Sequence, residues 1–341
     1  MNRLLKKVTM ISLSLAIIFS VVGCSSKSSE TNSNTITSSD GKKLDVIKIA
    51  TQTGFNEFDI ADELGFFKEE GIQLEYTGVL KGSTAIQAVL TGSNDVFDGH
   101  PIDVALAQLA GAKIKVVATG MIDNEKFVHM NYMVNSKSSI KSPEDLKNRK
   151  FKIAVTNRNS CAEIIALEYF KKYNIPKSNA EFVIMPSSQQ EQALSQSLVD
   201  IAALHPPYIK KAQIDGGVSS LFTSYEVMQG PAGGASTRGF SDEFIKEHPD
   251  TVKRFVKVLV KTHKWINTHQ QQANEIIAKK FNMKISQVEP FWYDENDYID
   301  PQYIQKWVDM SEETGILKKG AIKASDIYTN KFSPNPQYAG K

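Results

Sequence analysis

The sequence has few cysteines, little net charge and, after its first residues, no long apolar run. Two cysteines among 341 residues allow at most one disulfide, so the fold must rest on its hydrophobic core. The 40 basic and 38 acidic side chains leave a formal charge of only +2, which gives no general case for nucleic-acid binding. A chain of this length can bury a sizeable core and is typical of two lobes rather than one.

The N-terminus predicts export and lipid anchoring. Basic residues precede an apolar run from Val8 to Val22, which is short for a membrane span and typical of a secretory signal. The run ends in Val-Val-Gly-Cys24, which resembles the lipobox of bacterial lipoproteins. We therefore predict a signal peptide over 1–23, lipidation at Cys24, and an extracytoplasmic protein anchored to the membrane. Cleavage removes three basic residues and no acid, leaving a net charge of about −1.

Residues 24–44 follow the signal and contain almost no apolar side chains. Such a composition cannot bury enough surface to fold, so we predict a disordered tether between the lipid and the folded part.

One pattern occurs twice in the folded part. In Gln87–Pro101 and again in Gln192–Pro206, Gln-Ala is followed after six residues by Asp and after four more by His-Pro. Proline disfavours the helical region for the residue before it, so His100 and His205 should be extended at strand exits. Ligands of open α/β sheets bind outside the carboxyl ends of the strands, so we expect both loops to line one cleft. His-Pro is also a common way to end a strand, and a short repeat can arise by chance.

Short apolar runs alternate with amphipathic stretches along the chain, which favours two doubly wound α/β sheets. The predicted strands are Val46–Ala50, Ile72–Tyr76, Asp95–Phe97, Ile114–Val117, Phe151–Val155 and Phe182–Met185.

Two further segments, Asn131–Val134 and Ala235–Phe240, are predicted to cross between the lobes. Lobe 1 would then comprise residues 45–128 and 238–341, and lobe 2 would comprise residues 129–237. Two crossings form a two-segment hinge, which permits closure about one axis.

The sequence also resembles a known family. Gly65–Ile72 (Gly-Phe-Phe-Lys-Glu-Glu-Gly-Ile), Ser142–Lys147 and Tyr328–Phe332 are similar to segments of the ABC-importer binding proteins for aliphatic sulfonates, taurine, nitrate and thiamine pyrimidine precursors. The resemblance implies the type II periplasmic-binding-protein fold, a small-molecule solute, a permease with its ATPase as partners, and a monomer without cofactor. It implies capture of a small anion, with a pyrimidine or another heterocycle as the alternative.

Three loops lead from a predicted strand into a predicted helix: Thr53-Gly54-Phe55-Asn56, Gly82-Ser83-Thr84 and Asn159-Ser160-Cys161. A helix start offers free backbone N–H groups and the positive end of a dipole, which suits an anion. In the resembled family a Ser/Thr-rich turn at the lobe-two helix holds the anionic head group, and Ser160 and Cys161 occupy that turn here. A thiol is a poorer donor than the hydroxyl common in the family. The alternative role of Ser83 and Ser160 is helix capping alone.

The remaining ligand-binding candidates lie at the repeated strand exits and near the return crossing. They are Gly99, His100, Pro101, His205, Pro206, Tyr208 and Arg238. A cleft histidine can donate to an anion or bond a ring nitrogen. Arg238 could neutralise an acid group or form a surface ion pair. The aromatic residues Phe55, Phe97, Tyr132 and Tyr208 could stack on a flat ligand or belong to the core.

Other functions have weaker support in the sequence. A Cys161–His pair could act as a nucleophile, but no local motif accompanies it, and we predict no enzyme. His263 and His269 are six residues apart and do not align on a helix, so no metal site is predicted. A surface adhesion lipoprotein remains the other alternative.

Overall fold

The structure is a computed structural model that describes residues 35–37, 41–52, 55–80 and 83–339. The signal peptide and the lipidation site Cys24 lie outside these ranges. The predicted site residues Thr53, Gly54 and Gly82 lie outside them as well.

Strands and helices alternate along most of the described chain. The strands are β1 (Thr35–Thr37), β2 (Lys43–Ile49), β3 (Ile72–Tyr76), β4 (Phe97–Gly99), β5 (Ile114–Thr119), β6 (Met121–Ile122), β7 (Asn131–Asn135), β8 (Phe151–Val155), β9 (Ala180–Ile184), β10 (Ile201–Leu204), β11 (Val218–Thr223), β12 (Thr237–Ser241) and β13 (Trp292–Tyr293). The α-helices are α1 (Glu57–Glu63), α2 (Phe66–Glu69), α3 (Ser83–Leu90), α4 (Pro101–Leu109), α5 (Glu144–Lys147), α6 (Cys161–Lys172), α7 (Ser187–Ser195), α8 (Tyr208–Asp215), α9 (Ser224–Met228), α10 (Asp242–Glu247), α11 (Pro249–Thr268), α12 (Gln270–Lys280), α13 (Pro301–Glu313) and α14 (Ala324–Ile327).

Two sheets share one strand order. The second sheet runs β9-β8-β10-β7-β11, with β7 antiparallel to both neighbours. The first runs β3-β2-β4-β12-β5, where a parallel bridge between Ile49 and Val96 joins β2 to β4 and where β12 is antiparallel to both neighbours. The predicted α/β fold is confirmed, with the refinement that each sheet includes one antiparallel strand. Those two strands, β7 and β12, are the segments expected to cross between lobes.

The aspartate of the repeated pattern has the same structural role in both sheets. Asp95 Oδ2 accepts from the backbone N–H of Lys48 at 2.7 Å, and Asp200 Oδ2 accepts from that of Lys152 at 2.8 Å. Each aspartate also donates its own N–H to the carbonyl of the same lysine, at 2.9 Å in both cases. Asp95 therefore ties β4 to β2, and Asp200 ties β10 to β8, so the repeat reflects a repeated architecture.

The predicted tether is wrong over part of its length. Thr35–Thr37 forms β1 and pairs antiparallel with Lys43–Asp45, which extends the first sheet. The Thr-Ile-Thr sequence has high strand propensity and finds a ready edge in β2, so a low apolar content did not prevent pairing.

The chain after β12 packs against the first sheet. Phe255 and Leu259 of α11 lie in one core cluster with Ile47 of β2 and Phe58 of α1. Near the C-terminus, Tyr328 forms a parallel bridge with Val116 of β5. Of the helices in the described ranges, none has both the length and the apolar content of a membrane span.

Candidate functional site

The third strand of each sheet ends at a histidine, as the repeat predicts. His100 follows β4 with extended backbone angles (φ −88°, ψ 161°), and Pro101 then begins α4 at its first position. His205 follows β10, and the chain turns through Pro206 before α8 begins at Tyr208. In both copies the histidine directly follows a strand. The next helix begins immediately after His100 but only after two prolines in the second copy.

The His100 side chain is buried and held by the return crossing. Its Nδ1 lies 2.9 Å from the carbonyl oxygen of Ala235, so Nδ1 carries the proton and donates it. Burial lowers the pKa of His100, which favours the neutral ring. A neutral ring with its proton on Nδ1 presents a lone pair on Nε2.

His129 links the two strand exits and is not among the site residues predicted from the sequence. Its ring centroid is 4.6 Å from that of His100 and 4.9 Å from that of His205. His129 Nε2 lies 3.0 Å from His100 Nε2; because the latter accepts, His129 Nε2–H donates. Its backbone N–H donates to Asp123 Oδ1 at 2.6 Å, which fixes the residue just before β7. In the sequence, His129 could have been found by its position just before the predicted crossing segment Asn131–Val134.

Cys161, at the start of α6, is the fourth side chain at the place where the two strand exits meet. We call the group of His100, His129, His205 and Cys161 the junction. Its Sγ lies 3.6 Å from His205 Nε2. One potential ligand atom each from His100, His129 and Cys161 lie within 4.8 Å of one another. Burial raises the pKa of the Cys161 thiol and lowers that of His129 well below its usual value. The side chains of His100, His129 and Cys161 therefore favour their neutral forms.

The predicted anion-binding turn before α6 is already partly engaged by the protein. Ser160 caps the helix by accepting from the Glu163 N–H at 3.5 Å. Asn159 has φ 57° and donates its N–H to Glu163 Oε2 at 2.7 Å. Arg158 pairs with the same carboxylate, with Nη2 2.6 Å from Oε1. The N-terminus of α6 therefore already lies beside an anionic side chain, the Glu163 carboxylate.

Arg238 forms an ion pair inside the protein rather than on its surface. Its Nε lies 2.7 Å from Glu57 Oε1, and the side chains are 3% and 1% exposed. Asp98 Oδ2 lies 3.7 Å from Arg238 Nη1. The expected surface pair is corrected because β12 lies in the middle of the first sheet, which carries the residue into the interior.

Several other candidates have identifiable structural roles. Asn56 caps α1 by accepting from Asp59 N–H at 2.9 Å, and the Gly99 carbonyl accepts from the Thr237 hydroxyl at 2.9 Å. Ser83 begins α3, and Thr84 beside it is exposed.

The aromatic candidates divide between core and site. Phe97 and Tyr132 are fully buried, and the Tyr132 hydroxyl donates to the Ala162 carbonyl at 2.6 Å. Phe55 is also buried and packs edge-on against Phe291, with ring centroids 6.2 Å apart. These three belong to the core, whereas Tyr208 is half-buried beside His205.

Comparisons with known proteins identify relatives of the whole folded part. The model of the NMT1/THI5-like family matches residues 52–273. A protein of Bacillus subtilis (strain 168) that is named an aliphatic sulfonates-binding protein is 22% identical to this chain over 335 residues. The match covers 93% of each chain.

Solved structures share the fold. The periplasmic aliphatic sulphonate binding protein of Escherichia coli has a TM-score of 0.65 at 18% identity, covering 80% of this chain and 89% of its own. The periplasmic nitrate-binding protein of Synechocystis PCC 6803 has a TM-score of 0.70 at 11% identity, covering 85% of this chain and 87% of its own. The fold is therefore that of periplasmic binding proteins.

Proposed function

The chain belongs to the NMT1/THI5-like family, and from this premise we propose that it is an extracytoplasmic solute-binding protein of an ABC importer. Its solute would be a small anion of the sulfonate, taurine or nitrate type, bound between two lobes. The relatives named for sulfonate and nitrate binding support this choice.

One observation carries the placement of the site. The third strands of two sheets with equal strand order end at His100 and His205, and both rings contact His129. Ligands of open α/β sheets bind at the carboxyl ends of strands, and here two such ends converge. A solute that contacts both sheets stabilises the closed form by its differential affinity. We accordingly assign lobe 1 to residues 45–128 and 238–341, and lobe 2 to 129–237.

The anion would be bound by neutral donors. Arg238 is engaged by Glu57, so its charge is largely compensated within the protein. Ser160, the start of α6 and the imidazole of His205 are the groups that can donate to an oxyanion. Binding by several neutral donors avoids desolvating a free cation.

A flat heterocycle is the second candidate solute. His129 and His205 present imidazole rings that meet edge to face, and His100 packs against Trp307 with centroids 5.1 Å apart. A ring nitrogen of a pyrimidine could bond to an imidazole N–H, and the half-buried Tyr208 could stack on its face.

Binding fits this site better than nucleophilic catalysis. Cys161 and His205 are close enough to form a Cys–His pair, with 3.6 Å between Sγ and Nε2. A nucleophilic cysteine needs a lowered pKa, whereas burial raises the pKa of the Cys161 thiol. We therefore propose a binding protein and not an enzyme. Its anchor would be a lipid at Cys24, and its partners a permease and an ATPase.

Calorimetry and small-angle scattering on chelator-treated protein test the function. We expect binding of at least one of taurine, an alkanesulfonate, nitrate or a hydroxymethylpyrimidine, and a smaller radius of gyration with that solute at saturation. Binding without compaction would contradict the hinged receptor. Absence of binding to the whole panel would contradict the assigned solute classes.

A further inference from the structure

The junction of the two sheets contains a set of metal-ligand side chains. His100 and His129 are buried, Cys161 is half-buried, and potential ligand atoms of the three lie within 4.8 Å of one another. We propose that His100, His129 and Cys161, with His205 as the fourth ligand, bind a d-block cation that favours nitrogen and sulfur, of the Zn²⁺ or Cu⁺ class. This site goes beyond the proposed solute. It shares His205 with the proposed solute cleft, but its test does not depend on which solute is bound.

Two pairs of donors have the spacing of ligands in tetrahedral coordination. Zinc–nitrogen bonds of about 2.0–2.1 Å and zinc–sulfur bonds of about 2.3 Å imply tetrahedral edges of about 3.3 Å between nitrogens and about 3.6 Å between nitrogen and sulfur. His100 Nε2 and His129 Nε2 are 3.0 Å apart, and Cys161 Sγ and His205 Nε2 are 3.6 Å apart. Each pair is therefore near the separation that one shared ion requires. The ligand atoms of His100, His129 and Cys161 spread over 4.8 Å, more than a tetrahedral edge, so the two pairs would draw together around the ion.

The outer contact of His100 is the kind that metal-ligating histidines make. A ligating histidine usually donates its second ring N–H to a backbone carbonyl or carboxylate, which fixes the tautomer. His100 does so through Nδ1 to Ala235. The Asp123 carboxylate anchors the backbone of His129 at 2.6 Å. Among the residues that the structure describes, His129 Nδ1 has no hydrogen-bond partner, although the atom is buried.

Metal binding would change the protonation of the thiol and of the His129 ring. Metal binding would break the S–H bond of Cys161, form the metal–sulfur bond and release the proton to solvent. His129 would lose its hydrogen bond to His100 as its ring proton moved to Nδ1, which frees Nε2 for the ion. Nitrogen and thiolate ligands favour zinc or copper over the oxygen-seeking Mg²⁺.

Titration of the chelator-treated protein with Zn²⁺ against a chromophoric competitor tests the site. We expect one Zn²⁺ per chain, at least about 100-fold weaker binding in Cys161→Ser and His129→Ala, and about 10-fold weaker binding in His205→Ala. His248→Gln, which changes a histidine outside the cluster, should bind Zn²⁺ like the wild type. Substitution with Co²⁺ should give a sulfur-to-cobalt charge-transfer band that Cys161→Ser lacks. This variant exchanges only sulfur for oxygen, so it is the substitution that changes the shape of the site least.

The result that would overturn the site is no uptake of Zn²⁺ by the wild type, or uptake unchanged in Cys161→Ser and His129→Ala. Equal affinity for Mg²⁺ would also overturn it. Solute binding by the same metal-free protein is a separate measurement, so failure of the metal site and failure of the proposed function are distinguishable.

Discussion

Arg238 and Glu57 form a buried ion pair that joins β12 to the start of α1, with 2.7 Å between Nε and Oε1. The guanidinium also lies 5.3 Å from the centre of the Phe58 ring. Removing one partner of a buried pair leaves an uncompensated charge in a poorly solvated place, which costs far more than losing an exposed pair. The pair therefore holds the first residues of α1 against the middle of the first sheet.

Glu57→Ala should lower the free energy of unfolding by about 3–5 kcal/mol, because Arg238 would be left buried without its main partner. Urea unfolding measures this change. Glu63→Ala is the matched control, since Glu63 is an exposed residue of the same helix that pairs with Lys279. It should cost no more than about 1 kcal/mol. Equal losses in the two variants would contradict a dominant role for the buried pair.

The two aspartates of the repeat make the same hydrogen bond but should differ in their contribution to stability. Asp95→Ala should lower the free energy of unfolding by about 1–3 kcal/mol, because it leaves the partly buried Lys48 N–H without its acceptor. Asp200→Ala should cost about 1 kcal/mol, because water can replace the acceptor of the exposed Lys152 N–H. Chemical denaturation checks both values. Asp215→Ala is the control: it removes an exposed carboxylate that pairs with Lys211, so it should leave the free energy of unfolding unchanged. If either substitution leaves the free energy of unfolding unchanged, that aspartate is not needed to hold its two strands together.

The buried carboxyl of Asp294 should make the free energy of unfolding fall as the pH rises. Burial raises the pKa of its carboxyl to about 7 from 3.8, so the folded protein holds a proton between these values that the unfolded chain releases. The wild type should therefore lose stability as the pH rises from about 4 to about 7. Asp294→Asn lacks this loss, so its stability relative to the wild type should rise over the same window by up to about 4 kcal/mol. A difference that stays constant between pH 4 and pH 8 would contradict the raised pKa.

Ser160 separates the two solute classes. If the solute is an anion, Ser160→Ala should weaken binding about ten- to a hundredfold, because a charge-assisted hydrogen bond contributes about 1.5–3 kcal/mol. If the solute is an uncharged heterocycle, His205→Ala and Tyr208→Ala should weaken binding more. Calorimetry with the identified solute compares the three. Loss of the helix cap costs about 1 kcal/mol of stability, so affinity is measured well below the melting temperature. Wild-type affinity in all three variants would contradict the placement of the site.

Cys24 should determine the location of the protein. Cys24→Ala removes the residue that the lipobox modifies, so we expect release from membranes or accumulation of an uncleaved precursor. Membrane fractionation and mass spectrometry of the purified chain measure both. Unchanged fractionation together with an unchanged mass would rule out the lipid anchor.

Much of the architecture follows from local patterns. Phe151–Val155 was predicted and observed with the same bounds. A short, mostly apolar run that contains β-branched Ile153 and Val155 and lies between polar segments specifies a buried strand wherever it pairs. The extended backbone of His100 follows from the proline after it, which is a steric effect between neighbours. The family resemblance likewise depends on segments that can be read from the chain itself.

The composition of the site was decided by contacts between distant residues. The repeat located His100 and His205, and the turn before α6 located Cys161, but no spacing along the chain brings these to His129. Likewise, Arg238 gives no local sign that Glu57, far earlier in the chain, will neutralise it. Sequence patterns indicate which side chains of a helix or strand face the core, since that follows from the period of the helix or strand. Which buried polar groups meet depends on how two sheets and their crossing strands pack together, and that was settled only by the tertiary structure.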